Sequence, residues 1–210
     1  MNKHFSKRKF LYLFYVLSHP VDGFYEIRHR AEGSVLISLI CVVLFSLSYS
    51  LNRLYASFVV NDVDPRNVDS LSELQAIFLL VFLFAVANWS ITCLMGGEGR
   101  FKDIITVIGY SLVPLILTYI PATIISQIVA AKEEGFYTLL ITVGTAWTVM
   151  LLVIGIMTIH NYTFGKTFWT VVLTFVAILI ILFVLLMLVS LINGVYGFGY
   201  SIYSELINRV

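Results

Sequence analysis

Charge is what this chain has least of: only 12% of its 210 residues are charged, 13 Lys and Arg against 12 Asp and Glu, and long runs hold none. Hydrophobic residues make up 60%, well above the roughly 45–50% of a soluble domain, which excludes a soluble fold. A net charge of +1 leaves no basic footprint, so no nucleic-acid partner is expected. Cysteine is nearly absent. Cys41 and Cys93 both fall in apolar runs and read as small core residues, not as a disulfide. Catalytic constellations are missing too. No nucleophile sits with a base, no metal-ligand cluster is present, and GGEG at 96–99 lacks the Lys-Ser/Thr that completes a phosphate-binding loop, so its glycines read as turn residues. His19, Asp22 and Glu26 share a helical face, but without a second ligand cluster they read as a cap and a solvated face. Neither an enzyme, a cofactor nor a metal is expected.

What remains is a series of apolar runs separated by short polar connections. Stretches at 34–52, 73–95, 104–131, 136–159 and 167–193 are each long enough to cross a hydrocarbon core of about 30 Å. The fold class is therefore all-α, a polytopic membrane helical bundle of five spans preceded by N-terminal interfacial helices. The chain divides into an amphipathic arm (1–33), the five-span membrane domain (34–195) and an interfacial tail (196–210) with Tyr196, Phe198, Tyr200 and Tyr203 as an aromatic belt.

Within the arm, Phe10, Leu13, Phe14 and Leu17 line one side of a helix, and Pro20 opens a second over 20–31, with Asp22 in its first turn and Phe24 and Ile27 toward lipid or the first span. The loop 56–72, with Asp62, Asp64 and Asp69, is a surface loop. Between the second and third spans Gly96, Gly97 and Gly99 break the helix. Glu98, Arg100, Lys102 and Asp103 follow there, since one charge at the bilayer centre costs about 2.5–3.5 kcal/mol. Asn88 needs a polar partner in lipid, and with the kink at Pro114 it is expected to fix the packing of the second span on the third. Gly144, Thr148 and Gly155 are close-packing positions in the fourth span.

Three short stretches carry a family resemblance: HPVDGF at 19–24, GGEGRFKDI at 96–104 and GYSLVP at 109–114. In this order and between these spans, they make the chain resemble the Yip family, the Ypt/Rab-interacting five-span membrane proteins, and its prokaryotic branch in particular. The candidate partner-binding or structural residues are accordingly His19, Pro20, Gly23, Phe24, Gly97, Glu98, Gly99, Lys102, Asp103, Tyr110 and Pro114, joined by Asn88. The resemblance implies a non-enzymatic accessory or scaffold protein. Its partners would be membrane lipids and either another membrane protein, such as a transporter or homologue, or a second copy of the chain. Eukaryotic members carry a longer arm with a DLxGP-like tract, where Rab binding resides; HPVDGF stands in its place here. The alternative reading is a small permease or channel component, which ordinarily keeps ionisable groups at mid-depth.

Five spans put Lys3, Lys7, Arg8, Lys9, Arg28, Arg30, Arg100, Lys102 and Lys166 on one side, and Arg53, Arg66, Lys132 and Arg209 on the other. By the positive-inside rule the amino terminus is cytoplasmic and the carboxyl terminus outside. The bacterial plasma membrane is the expected location, an endomembrane the alternative. Single cysteines at 64 and 100, in a background lacking Cys41 and Cys93, test this with an impermeant thiol reagent on intact cells. Labelling is expected at 64 and not at 100, and the reverse pattern inverts the topology.

Overall fold

The computed structural model describes residues 7–61, 63–129 and 133–208. Lys3, Asp62, Lys132 and Arg209 lie outside the described residues. The helices are α1 (Lys7–Ser18), α2 (Pro20–His29), α3 (Val35–Tyr55), α4 (Ser70–Leu94), α5 (Phe101–Ser111), α6 (Val113–Ser126), α7 (Glu134–His160) and α8 (Phe164–Asn208). Five spans are long and apolar enough to cross a membrane: α3, α4, the α5–α6 unit, α7 and α8. Lipid offers the backbone no hydrogen bonds, so helices are the form these runs must take.

α1 and α2 fold back on each other. Tyr12 Oη donates to Gly23 O at 2.8 Å and to Glu26 Oε2 at 3.2 Å, while Gly23 sits against Val16 with no room for a side chain. Burial and the neighbouring Glu26 hold the Tyr12 hydroxyl protonated far above the usual phenol range. The apolar side of α1 is narrower than expected. Leu13 and Val16 are buried, whereas Phe10 and Phe14 face outward. Phe24 and Ile27 of α2 are also buried. Phe24 lies beside Gly155 of α7, so this face meets the bundle interior and not lipid.

The third span is two helices. α5 ends at Ser111 and Leu112 caps it. Pro114 then occupies the first turn of α6, where the missing N–H costs nothing, and Pro121 lies inside α6. Around this broken span the chain packs closely: Gly109 on Ser38 of α3, Gly144 of α7 on Thr118 of α6, and Gly155 on Val107 of α5. Ser38 Oγ donates to Ile105 O at 2.5 Å. Tyr110, fully buried, accepts from Ser34 N–H at 3.2 Å.

At the α3–α4 loop end, Glu73 accepts from Arg53 Nη1 at 2.5 Å and from Ser50. Asn52 donates to Thr123 Oγ1 at 2.9 Å and accepts from Tyr137 Oη at 2.8 Å. Side chains of α3, α4, α6 and α7 are thus tied by polar groups where the spans end. Cys41 is buried in α3, but Cys93 is on the exposed face of α4 and not in the core.

α8 departs from the rest. It runs unbroken through the 195/196 boundary, because helical hydrogen bonding in an apolar setting outweighs the roughly 1 kcal/mol that each of Gly194, Gly197 and Gly199 costs. Its hold on the bundle is mainly through α4. There Asn88 Nδ2 donates to Thr174 Oγ1 at 3.1 Å, so Asn88 joins the second span to the fifth, not to the third. The expected pairing fails because the bend at Leu112 is satisfied locally, its N–H reaching the Gly109 and Tyr110 carbonyls, while α8 offers a stripe of buried hydroxyls, Thr167, Thr170 and Thr174.

Asn88 Oδ1 is buried with no partner among the described residues, which makes the two ends of this bond unequal. Asn88→Leu removes an unsatisfied acceptor together with a bond worth about 0.6 kcal/mol and changes stability by less than about 1 kcal/mol. Thr174→Val leaves the amide wholly unpaired and costs about 1–2 kcal/mol. Unfolding in a lipid bilayer by steric trapping measures both; a larger loss for Asn88→Leu contradicts this account.

Candidate functional site

Most of the residues singled out in the sequence gather at the end of the bundle formed by α1, α2, the 95–100 turn, the start of α5 and the α7–α8 connection, while Asn88 in α4 and Pro114 in α6 lie deeper within the spans. The turn itself is shaped by α4 ending. Met95 N–H bonds back to Ile91 O at 3.0 Å and Gly97 N–H to Thr92 O at 2.7 Å, with Gly96 in the left-handed region at φ 66°. The chain then passes against His160, the last residue of α7. Gly99 N–H donates to His160 Nδ1 at 3.1 Å, so this nitrogen presents its lone pair and a neutral ring carries its proton on Nε2.

Helix α7 closes on Asn161 in the left-handed conformation, φ 53°, and this turn brings Tyr162 onto the same corner. The rings of His160 and Tyr162 stack with centroids 5.3 Å apart, and Lys166 Nζ lies 4.1 Å from the Tyr162 ring centroid. Burial raises the Tyr162 hydroxyl above its ordinary pKa. His160 and Tyr162 were not foreseen as part of this corner. The signal available was a histidine and an aromatic flanking the sharp Asn161 turn.

Asp103 is the electrostatic centre. It is 3% exposed and sits at the third helical position of α5, where its carboxylate accepts the Arg100 backbone N–H at 3.1 Å. Arg100 Nε reaches the same oxygen at 2.9 Å, and Arg28 Nη1 on α2 lies 3.7 Å from it. Arg100 also donates to Arg28 O at 3.4 Å. One carboxylate therefore connects α2, the glycine turn and α5.

The candidates separate by direction. Gly23, Phe24, Asn88, Asp103, Tyr110 and Pro114 are buried, Gly97 and Gly99 line the His160 contact, and Glu98, Lys102 and His19 are exposed. Pro20 opens α2, and His19 Nδ1 is 3.0 Å from Ser18 Oγ with its ring stacked on Tyr15. Among the described residues no group of three His, Cys, Asp or Glu is placed to hold a metal ion. The turn and the buried carboxylate build the corner; the exposed charges are what it presents.

A Cβ at Gly97 would stand 2.5 Å from His160 Nδ1 and 2.7 Å from Tyr162 Oη, and one at Gly99 would stand 2.6 Å from His160 Cε1. His160 is fully buried and has nowhere to move. Gly97→Ala and Gly99→Ala are each expected to destabilise by about 1–3 kcal/mol, whereas Gly165→Ala, in open space, stays within about 0.5 kcal/mol. Thermal unfolding in detergent compares them; equal midpoints for all three would mean that the turn is not packed on His160.

Comparison with curated proteins and with solved structures finds no match. The Yip1 domain model matches residues 14–187, most of the chain, including the stretches 19–24, 96–104 and 109–114. On that match, together with its five membrane spans, the chain belongs to the Yip family of integral membrane proteins.

Proposed function

We propose that this protein is a non-enzymatic accessory or scaffold protein of the bacterial plasma membrane, with its amino terminus in the cytoplasm. It docks another membrane protein, a transporter or a homologue, on the surface made by α2 and the Gly96–Lys102 turn. The observation that carries this reading is the division of labour at the corner. Asp103, Arg28 and His160 turn inward, Arg100 reaches Asp103 from the surface, and together they fix the backbone, while Glu98, Asp22 and Tyr25 point out from it. A surface held from beneath in this way presents charges without large ordering entropy on binding, which favours specific recognition. Within the described spans no Asp, Glu, Lys or Arg lies at mid-depth, which supports an accessory role over an ion-coupled permease.

Asp103 is unsuitable as a test of docking, because reversing it would leave two cations uncompensated and loosen the corner itself. Glu98→Lys with Asp22→Lys changes only exposed charge. Purification of the full chain in mild detergent is expected to recover a stoichiometric membrane protein with the parent and to lose it with this double variant, at unchanged membrane insertion and elution volume. Equal recovery of that protein with both would move the contact to the spans and end the surface-docking reading.

A further inference from the structure

Beside the Asp103 corner, with His160 not part of its wall, lies a cavity of about 320 Å3 between α1, α3 and α5, within the size range of small-molecule sites, about 300–1,000 Å3. Lys9, Arg100 and Lys102 line it, and Asp103 is the one carboxylate among its walls. That carboxylate is already occupied by Arg100 and Arg28. The Lys9 ammonium uses only a long bond of 3.4 Å to Gly33 O, and the Lys102 ammonium has no hydrogen bond or ion pair among the described residues. Glu32, the other acidic residue of the adjoining loop, is not part of the wall. The first turn of the 21-residue helix α3, at Val35 and Leu36, also lines the cavity and adds the positive end of its dipole.

We propose that this cavity binds the phosphate-bearing headgroup of an anionic lipid. Its position names the source of the phosphate. The cavity sits where α3 and α5 begin, at the level at which spans meet headgroups. Its apolar wall includes Leu36, which is 47% exposed and continues onto the outer surface of α3, where an acyl chain lies. Basic pockets of this kind between helices hold anionic headgroups through the same chemistry. The inference does not depend on which face is cytoplasmic, nor on a docked protein, since the charges it uses are the basic ones and the docking surface uses Glu98 and Asp22.

Native mass spectrometry of the full chain in zwitterionic detergent tests this with three probes: dioleoyl phosphatidylglycerol, dioleoyl phosphatidylcholine and inorganic phosphate. One phosphatidylglycerol per chain is expected to be retained in preference to phosphatidylcholine and in the presence of excess inorganic phosphate. Lys9→Gln with Lys102→Gln is expected to weaken retention about thirtyfold and Lys102→Gln alone about fivefold. Lys166→Gln, whose lysine lies over Tyr162 and outside the cavity, is expected to keep the parent affinity. Equal retention of the two lipids, non-saturating uptake, or no change in either lysine variant would overturn the proposal. Displacement by inorganic phosphate would also overturn it, and would assign the cavity to the free ion. The single variant at exposed Lys102 keeps the test decisive if the double variant fails to elute as a folded protein.

Discussion

The buried carboxylate of Asp103 is the interaction on which this structure turns. An ionised group with 3% exposure persists only when its charge and lone pairs are answered, and the answers are three groups from two places in the chain: Arg28, and the side chain and backbone N–H of Arg100. Meeting them fixes where α2 lies relative to α5. With α2 so placed, Phe24 enters between α5 and α7, and Gly155 is the position that lets it in. A short helix outside the membrane is thereby made part of the core.

His160 does for the connection between α4 and α5 what Asp103 does for α2. Its Nδ1 takes up a backbone N–H that the turn would otherwise leave unpaired, and its ring fills the space that Gly97 and Gly99 vacate. The glycines are thus demanded by what passes over them as much as by the turn. The opposite end of the bundle uses the same device with different residues, Glu73 between Arg53 and Ser50, and Asn52 between Thr123 and Tyr137. Between these two tied ends the spans meet through small residues and apolar contact, where directional bonds are few.

The number of spans and approximately where each begins were legible from length and apolarity alone, since a bilayer leaves so few alternatives, but the extension of the fifth to Asn208 was not. The break near Pro114 was legible as well, because proline acts locally. Partners were not. Asn88 announces that it needs one, but a hydroxyl on any neighbouring helix would satisfy it, and choosing Thr174 requires knowing that α8 lies beside α4. Asp103 shows the same gap more sharply. A charge in a short polar turn reads as solvated, and only the third dimension brings Arg28, 75 positions earlier in the chain, within 3.7 Å of it.

The five spans are unequally supported, and their composition follows that inequality. In the third span 56% of the most apolar stretch is buried in protein, and this span carries two prolines, two tyrosines and several hydroxyls; in the fifth only 6% is buried, and the same length is nearly all Leu, Ile, Val and Phe. A helix surrounded by protein finds partners for polar groups and broken carbonyls there, whereas a helix surrounded by lipid finds none and must have none to satisfy. Three threonines in the first third of α8 obey the rule at closer range. Thr167, Thr170 and Thr174 lie on the buried stripe, and each hydroxyl bonds the carbonyl four residues earlier. Thr174 also receives Asn88, and Thr170 Oγ1 lies 3.2 Å from Met95 Sδ. From 175 to 189, about four turns, the helix is wholly apolar, so its attachment to the bundle is confined to the end nearest the Asp103 corner. What holds the remainder in place is its preference for hydrocarbon over water, about 0.3–0.6 kcal/mol for each Leu, Ile, Val or Phe, and that preference, unlike a packed contact, specifies depth without specifying a neighbour.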